Sequence, residues 1–297
     1  MNDKAEENHR LRLRLIERLR DEDAEDLIGP MEECGAKMKM VCVCCGTTKD
    51  APIRCKRRYC PSCQPKMAAE KVAKWSAAIN TIRWPLFVTL TMTNSTDPES
   101  IKFIKKRWSA FRRRKLITKK VKGGVATFEI TNKGNGWHPH IHAIMDCRWL
   151  SLHVPEPLRR DPAEVVEMKC QMAKRELSAL WGQQIGQEWA SVDVSRVKSG
   201  KTIAMEVIKY ALKGSELVDC PDPIAPLLRA IKGTRLLAGW GSMHPMPQLD
   251  EEEGPVLECE TCKETKSYLP AEIVTFMSRT VSRTSEADAI PQYRAKA

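Results

Sequence analysis

The chain has 297 residues, 42% of them hydrophobic, which is enough for one large domain or a catalytic domain with smaller additions. It has no run of about 18 apolar residues, so no membrane span is expected; its N-terminus, MNDKAEENHRLRLRL, lacks the apolar segment of a secretory signal, so a cytoplasmic protein is expected. The net charge of +11 is uneven: residues 1–33 hold six basic and eleven acidic side chains, and residues 102–122 hold eleven basic and no acidic ones.

Taken in order, residues 1–33 predict a charged amphipathic helix with Leu11, Leu15 and Leu19 on one stripe, ending near Gly29-Pro30 and serving as a partner helix or a loose arm. Residues 34–66 form a cysteine-rich module. Residues 67–82 predict a helix, and the β-branched, apolar FVTLTM over 87–92 predicts a strand. A helix is expected over about 98–115, with Asp97 as its N-cap. VATFEIT (125–131) predicts a second strand, which the turn NKGNG joins to a third over 139–145. Helices are expected over 161–181 and 202–217, with a short strand at 192–197. The remainder is less regular, with a polar tail from about Ser282 expected to be disordered. The domains expected are therefore 1–33, 34–66, a catalytic domain over 67–217, a C-terminal extension over 218–281 and a tail over 282–297.

The basic block suits a polyanion such as nucleic acid. Lys105, Lys106, Arg107, Arg112, Arg113, Arg114 and Lys115 are its candidate contacts. Trp108 and Phe111 interleave with them, where bases could stack on the rings. The plain alternative is a solvated, self-repelling helix face.

Twelve cysteines in a cytosolic chain suggest metal ligands before disulfides. Cys42/Cys45 and Cys60/Cys63 are two CxxC pairs fourteen residues apart, a zinc spacing, because each turn aims two thiolates at one tetrahedral ion. Cys45, Cys55, Cys60 and Cys63 are an equally plausible set. Four thiolates leave no open position, so this zinc would be structural. Cys259 and Cys262 form a lone pair with no obvious partner.

Three of the six histidines, His138, His140 and His142, fall at alternate positions of GWHPHIHAIM. A strand sends alternate side chains to opposite faces, so the three share one face. In the preceding strand Thr127, Glu129 and Thr131 also share a face. If the two pair as a hairpin, Glu129 falls beside His140 or His142. Imidazoles and a carboxylate with open positions left would hold a divalent cation such as Mn²⁺ or Mg²⁺ and polarise a substrate oxygen. Surface histidines on a solvated strand are the plain alternative. A nucleophile is available downstream in TIAMEVIKYALKGSEL. Glu206, Tyr210 and Lys213 lie one helical turn apart and can converge on one phosphate. The tyrosine oxygen would attack, the lysine neutralise charge and the glutamate later deprotonate a water.

HPHIH, the FVTLTM strand upstream, KYALK downstream and the Cys60–Cys63 pair together resemble the motifs of rolling-circle replication initiators of the HUH endonuclease superfamily, over about residues 42–213. The resemblance implies an α+β fold: a central antiparallel sheet flanked by helices, ferredoxin- or RRM-like, with an N-terminal zinc module. It implies that His140 and His142 hold the cation, that Glu129 is the third ligand with His138 competing, that Tyr210 nicks single-stranded origin DNA, and that Lys213 is the motif lysine. The products would be a 5′-phosphotyrosine and a 3′-OH primer, used by a host helicase and DNA polymerase. Some members carry a second tyrosine where this chain has Glu206, which suggests hydrolysis by an activated water at termination. A single-strand transposase of the same superfamily and a non-catalytic zinc-finger nucleic-acid binder are the competing functions.

Overall fold

In the computed structural model, residues 3–197, 214–244, 259–264 and 268–271 are described. The strands are β1 (Lys37–Cys42), β2 (Thr48–Pro52), β3 (Pro85–Thr91), β4 (Gly123–Asn132), β5 (Trp137–Asp146), β6 (Val192–Arg196), β7 (Leu237–Gly241) and β8 (Tyr268–Pro270). The helices are α1 (Asp3–Asp21), α2 (Glu25–Ile28), α3 (Gln64–Asn80), α4 (Ser100–Phe111), α5 (Lys115–Lys120), α6 (Ala163–Ile185), α7 (Gly214–Val218) and α8 (Ala225–Ala230). The chain divides into two units: Met1–Glu32 with Cys55–Leu249, and Glu33–Arg54 with Asp250–Ala297.

The first unit is built on an antiparallel sheet of order β6-β3-β5-β4-β7, with β5 at its centre. Alternation gives each strand two different faces. Leu86, Val88 and Leu90 of β3, Ala126 and Phe128 of β4, and Ile141, Ala143 and Met145 of β5 are buried on one face. Helix α4 covers it with a stripe at helical spacing, Ile101, Ile104, Trp108 and Phe111, all buried. Trp108 meets Trp240 of β7 edge-on at 5.2 Å, and Phe111 meets Trp181 of α6 edge-on at 5.3 Å. The Trp181 indole N–H donates to the Thr91 carbonyl at 2.8 Å. On the other face, Trp75, Ala78 and Ile79 of α3 pack at one end on Val125, Ile144 and Phe87.

Three expectations need correction. Trp108 and Phe111 do not face bases: burial against Trp240 and Trp181 outcompetes exposure for rings this large. The basic helix does not run unbroken to residue 115 but ends at Phe111 and restarts as α5, because Leu116 and Ile117 reach the core only if the chain turns. Asp97 is not the N-cap of α4, although its carboxylate accepts the Glu99 N–H at 2.8 Å just before the helix.

Helix α1 is docked rather than loose. Leu15, Ile16 and Leu19 are buried, and the Arg18 guanidinium donates to the carbonyls of Val218 and Asp222 at 3.0 and 2.8 Å. Glu22 accepts the N–H groups of Ile224 and Ala225 at 3.0 and 2.7 Å, supplying partners that the first turn of α8 lacks within itself.

The second unit is an antiparallel sheet of order β2-β1-β8, in which Cys42 of β1 lies opposite Tyr268 of β8. No described helix is long and apolar enough to cross a membrane.

Candidate functional site

The site grows from the β4–β5 hairpin. Its connection, Lys133-Gly134-Asn135-Gly136, has φ of +97° at Gly134 and +82° at Gly136, the left-handed region that glycine enters without strain. A Cβ at Gly136 would sit 2.8 Å from the Ser95 carbonyl oxygen, so that position also needs the missing side chain. The turn sets the register: Thr127 opposite His142, Glu129 opposite His140 and Thr131 opposite His138. On the other side of β5, Thr89 lies opposite His142 and Thr91 opposite His140. Directly opposed residues share a face. The histidines, Glu129 and four threonines therefore occupy the part of the sheet that α3 leaves uncovered.

Glu129 and His142 are both buried, and His142 Nε2 lies 2.9 Å from Glu129 Oε2. On the other side of the ring, Nδ1 lies 3.2 Å from the Thr89 hydroxyl. The Phe87 ring stacks on His142 at 5.9 Å and fixes its plane. The His138 and His140 rings stand 4.2 Å apart, and those of His140 and His142 5.9 Å apart. Burial pulls His140 down to about 4, aided by the neighbouring His138 and opposed by Glu129. Burial also lowers His138, against a backbone hydrogen bond at Met92. His140 is thus neutral at physiological pH, the form of imidazole that coordinates metals. The buried Thr127 hydroxyl has no hydrogen-bond partner among the described residues.

Beside Glu129 opens a cavity of about 750 Å³, lined by Thr131, Lys133 and Trp137 and, from the far side, by Glu216 and Asp219. Tyr210, Glu206 and Lys213 lie outside the described residues; α7, which begins directly after Lys213, supplies Glu216 to the cavity wall.

The expected DNA contacts are of two kinds. Lys106, Arg113 and Lys115 are exposed. Lys105 lies over the Phe128 ring at 5.4 Å, Arg112 over Trp240 at 5.6 Å, Arg107 over Phe103 at 4.6 Å, and Arg114 donates to Gln184 at 3.2 Å. Burial, and then the charges of Arg58 and Arg235, lowers Lys105. Those two arginines, distant in sequence, thicken the positive potential around α4 and are not apparent in the 102–122 charge run.

Within the second unit, Cys42, Cys45, Cys259 and Cys262 could hold a metal such as zinc, their sulfurs lying within 4.8 Å of one another; a second cysteine group, in the first unit, brings Cys55 Sγ to 3.7 Å from Cys63 Sγ, with Cys60 buried beside them. This corrects both ligand sets expected from spacing. Cys42 and Cys45 pair with the downstream Cys259/Cys262, which spacing left without a partner, and not with Cys60 and Cys63. Thr89 was also missed as a site residue, although the alternation of FVTLTM placed it on a defined face.

The fold and site define a mixed α+β protein with antiparallel sheets, cysteine clusters able to bind metal and a histidine–glutamate pair beside a cleft. Residues 48–149, from β2 through β5 and about a third of the chain, match the family model Rep_1, replication protein. No curated protein and no solved structure matches the chain.

Proposed function

We propose that this protein starts rolling-circle replication of a plasmid by nicking one strand of its origin, with an HUH-type site on β5. The observation that carries the proposal is the register that sets Glu129 opposite His140 and in hydrogen-bond contact with His142, on the part of the sheet beyond α3. This donor set fits a divalent cation: a neutral His140, a second imidazole oriented by Thr89, a carboxylate, and a buried Thr127 hydroxyl in need of a partner. The direct opposition of Glu129 and His140 favours Glu129 over His138 as the third ligand. A Mn²⁺ or Mg²⁺ ion held there would supply Lewis-acid polarisation of the scissile phosphate.

The chain's own residues do the rest. The Tyr210 phenol gives up its proton as its oxygen attacks phosphorus, the bond from phosphorus to the 3′ oxygen breaks, and one proton is delivered to the departing 3′ oxygen, which leaves as a hydroxyl. The 5′ phosphoryl group stays on Tyr210. Lys213, one turn further on, neutralises phosphate charge. Glu206, one turn earlier, deprotonates a water that releases the strand at termination. Lys106, Arg113 and Lys115 hold the strand by its phosphates, which fixes position without reading sequence. The structural zinc groups maintain the fold around this chemistry, and a host helicase and polymerase extend the freed 3′-OH in the cytoplasm.

A denaturing gel tests this directly. Labelled single-stranded origin DNA is mixed with the protein and Mn²⁺ or Mg²⁺. A covalent protein–DNA band is expected, lost in Tyr210→Phe and without divalent cation. A band that persists in Tyr210→Phe would remove the nucleophile assignment; binding without any adduct across a tiled set of origin oligonucleotides would leave a non-catalytic binder.

A further inference from the structure

The second unit buries few apolar side chains among its described residues. Among its described residues the buried cluster consists of Cys42, Cys259 and Tyr268, with Met40 and Cys262 packed against it. Small domains commonly add a staple such as a disulfide or a metal ion to limited apolar burial.

The local backbone shows where the staple sits. Two stretches far apart in sequence, CVCCGT from Cys42 and CETCKE from Cys259, adopt the same turn. In the first, the Cys42 N–H donates to the Thr47 carbonyl at 2.8 Å and the Gly46 N–H donates back to the Cys42 carbonyl at 2.8 Å. In the second, the Cys259 N–H donates to the Glu264 carbonyl at 2.9 Å and the Lys263 N–H donates back to the Cys259 carbonyl at 2.8 Å. The residue after each CxxC is left-handed in both, with φ of +73° at Gly46 and +59° at Lys263. Glycine adopts this readily; lysine does so at a cost, and the turn is formed nevertheless.

The two turns face each other sulfur to sulfur. Cys42 Sγ is 3.6 Å from Cys262 Sγ, and Cys45 Sγ is 3.5 Å from Cys259 Sγ. Disulfide sulfurs lie about 2.05 Å apart. Around a tetrahedral zinc with Zn–S bonds of about 2.3 Å, neighbouring sulfurs lie about 3.8 Å apart, close to what is seen. The surroundings also suit a thiolate: the Tyr268 hydroxyl donates to Cys259 Sγ at 3.5 Å, and Lys49 Nζ lies 3.7 Å above the Tyr268 ring. Hydrogen-bonded partners of this kind orient metal-bound ligands.

We propose that Cys42, Cys45, Cys259 and Cys262 bind a structural zinc ion through these two matching turns, and that this ion clips β8 onto the β1–β2 hairpin to make a zinc-ribbon unit from segments on either side of the catalytic residues. Four thiolates saturate the ion, so the site is structural and carries no chemistry of its own. The proposal does not depend on the nicking reaction.

The test is the zinc content of the purified full-length protein, by elemental analysis, with Co²⁺ substitution as a second measurement. Two zinc ions per chain are expected, one per cysteine group. Cys259→Ser/Cys262→Ser should halve the content and halve the sulfur-to-cobalt charge-transfer absorption. Cys262→His should keep both metals and shift the cobalt bands, because three thiolates and an imidazole remain a competent tetrahedral set. That rescue separates ligand loss from general misfolding. An unchanged zinc content in the double serine variant would overturn the proposal, as would a single wild-type zinc that only Cys60→Ser/Cys63→Ser removes.

Discussion

The two faces of the five-stranded sheet come from the same strands and the same period-two alternation, yet they do opposite things. One face is dry. Phe128, Ile141 and Ala143 lie under α4 and α6, with Trp181 and Phe111 fully buried. The other is titratable, with His140, His142 and Glu129 on strands that α3 covers at one end only. The contrast teaches a division of labour. The dry face supplies the stability that lets the opposite face hold polar groups at fixed distances. Burial on that opposite face is incomplete, which leaves a cavity and shifts His140 without removing it from solvent.

The comparison predicts separable losses. The largest is on the dry face: Trp181→Ala removes a fully buried ring and its hydrogen bond to Thr91, and should cost about 3–5 kcal/mol. A urea titration reads this as a lower midpoint with unchanged slope, while nicking per folded molecule stays near wild type at low temperature. A loss below about 1 kcal/mol would mean that the packing of α6 contributes little to stability. Next is His140→Ala on the polar face. It should lower metal-dependent nicking by about 100-fold or more and leave the urea midpoint close to wild type. Equal losses of stability in the two variants would erase the distinction between the faces.

Smaller effects sharpen it. Thr89→Val removes the hydroxyl that orients His142 Nδ1 and should cost about 10-fold in nicking, most of it recovered by raising Mn²⁺, since an outer-shell partner tunes affinity for the ion. An effect that added metal does not relieve would place Thr89 elsewhere in the mechanism. Acid should reach the polar face first. His140 has a folded value near 4 against an ordinary 6.5, so between these pH values the unfolded chain binds more protons. The contribution of His140 to stability is complete above about pH 6.5 and declines as pH falls toward 4. In buffer without Mn²⁺ or Mg²⁺, His140→Gln should flatten the stability profile in that window; an unaltered profile would assign the acid sensitivity to another group. The smallest effect belongs to the exposed cations. Arg113→Ala should weaken DNA binding uniformly across sequences and reduce the salt slope by about 1.

Much of the site was legible along the chain. HPHIH and TFEIT carry their own geometry, because a strand's period is fixed at two and a short glycine turn between them sets the register. That suffices to bring Glu129 opposite His140. The failures share a cause as well. The charge run at 102–122 concealed an apolar stripe at helical spacing, so Trp108 and Phe111 were assigned to DNA when they belong to the core. The strand β7 (LAGWG) is too short and glycine-rich to stand out, and it exists because the edge of β4 was available to pair with it.

Local pattern by itself therefore determined the histidine face, the basic helix and the presence of cysteine pairs able to hold a metal, since alternation, helical spacing and CxxC turns act over a few residues. Only the tertiary structure decided which partners meet across long separations: Thr89 with His142, Trp108 with Trp240, and the Cys42 turn with the Cys259 turn. A CxxC turn supplies two ligands and says nothing about where the other two come from. That choice is made by the pairing of β8 with β1, and strand pairing is set by packing across the whole unit.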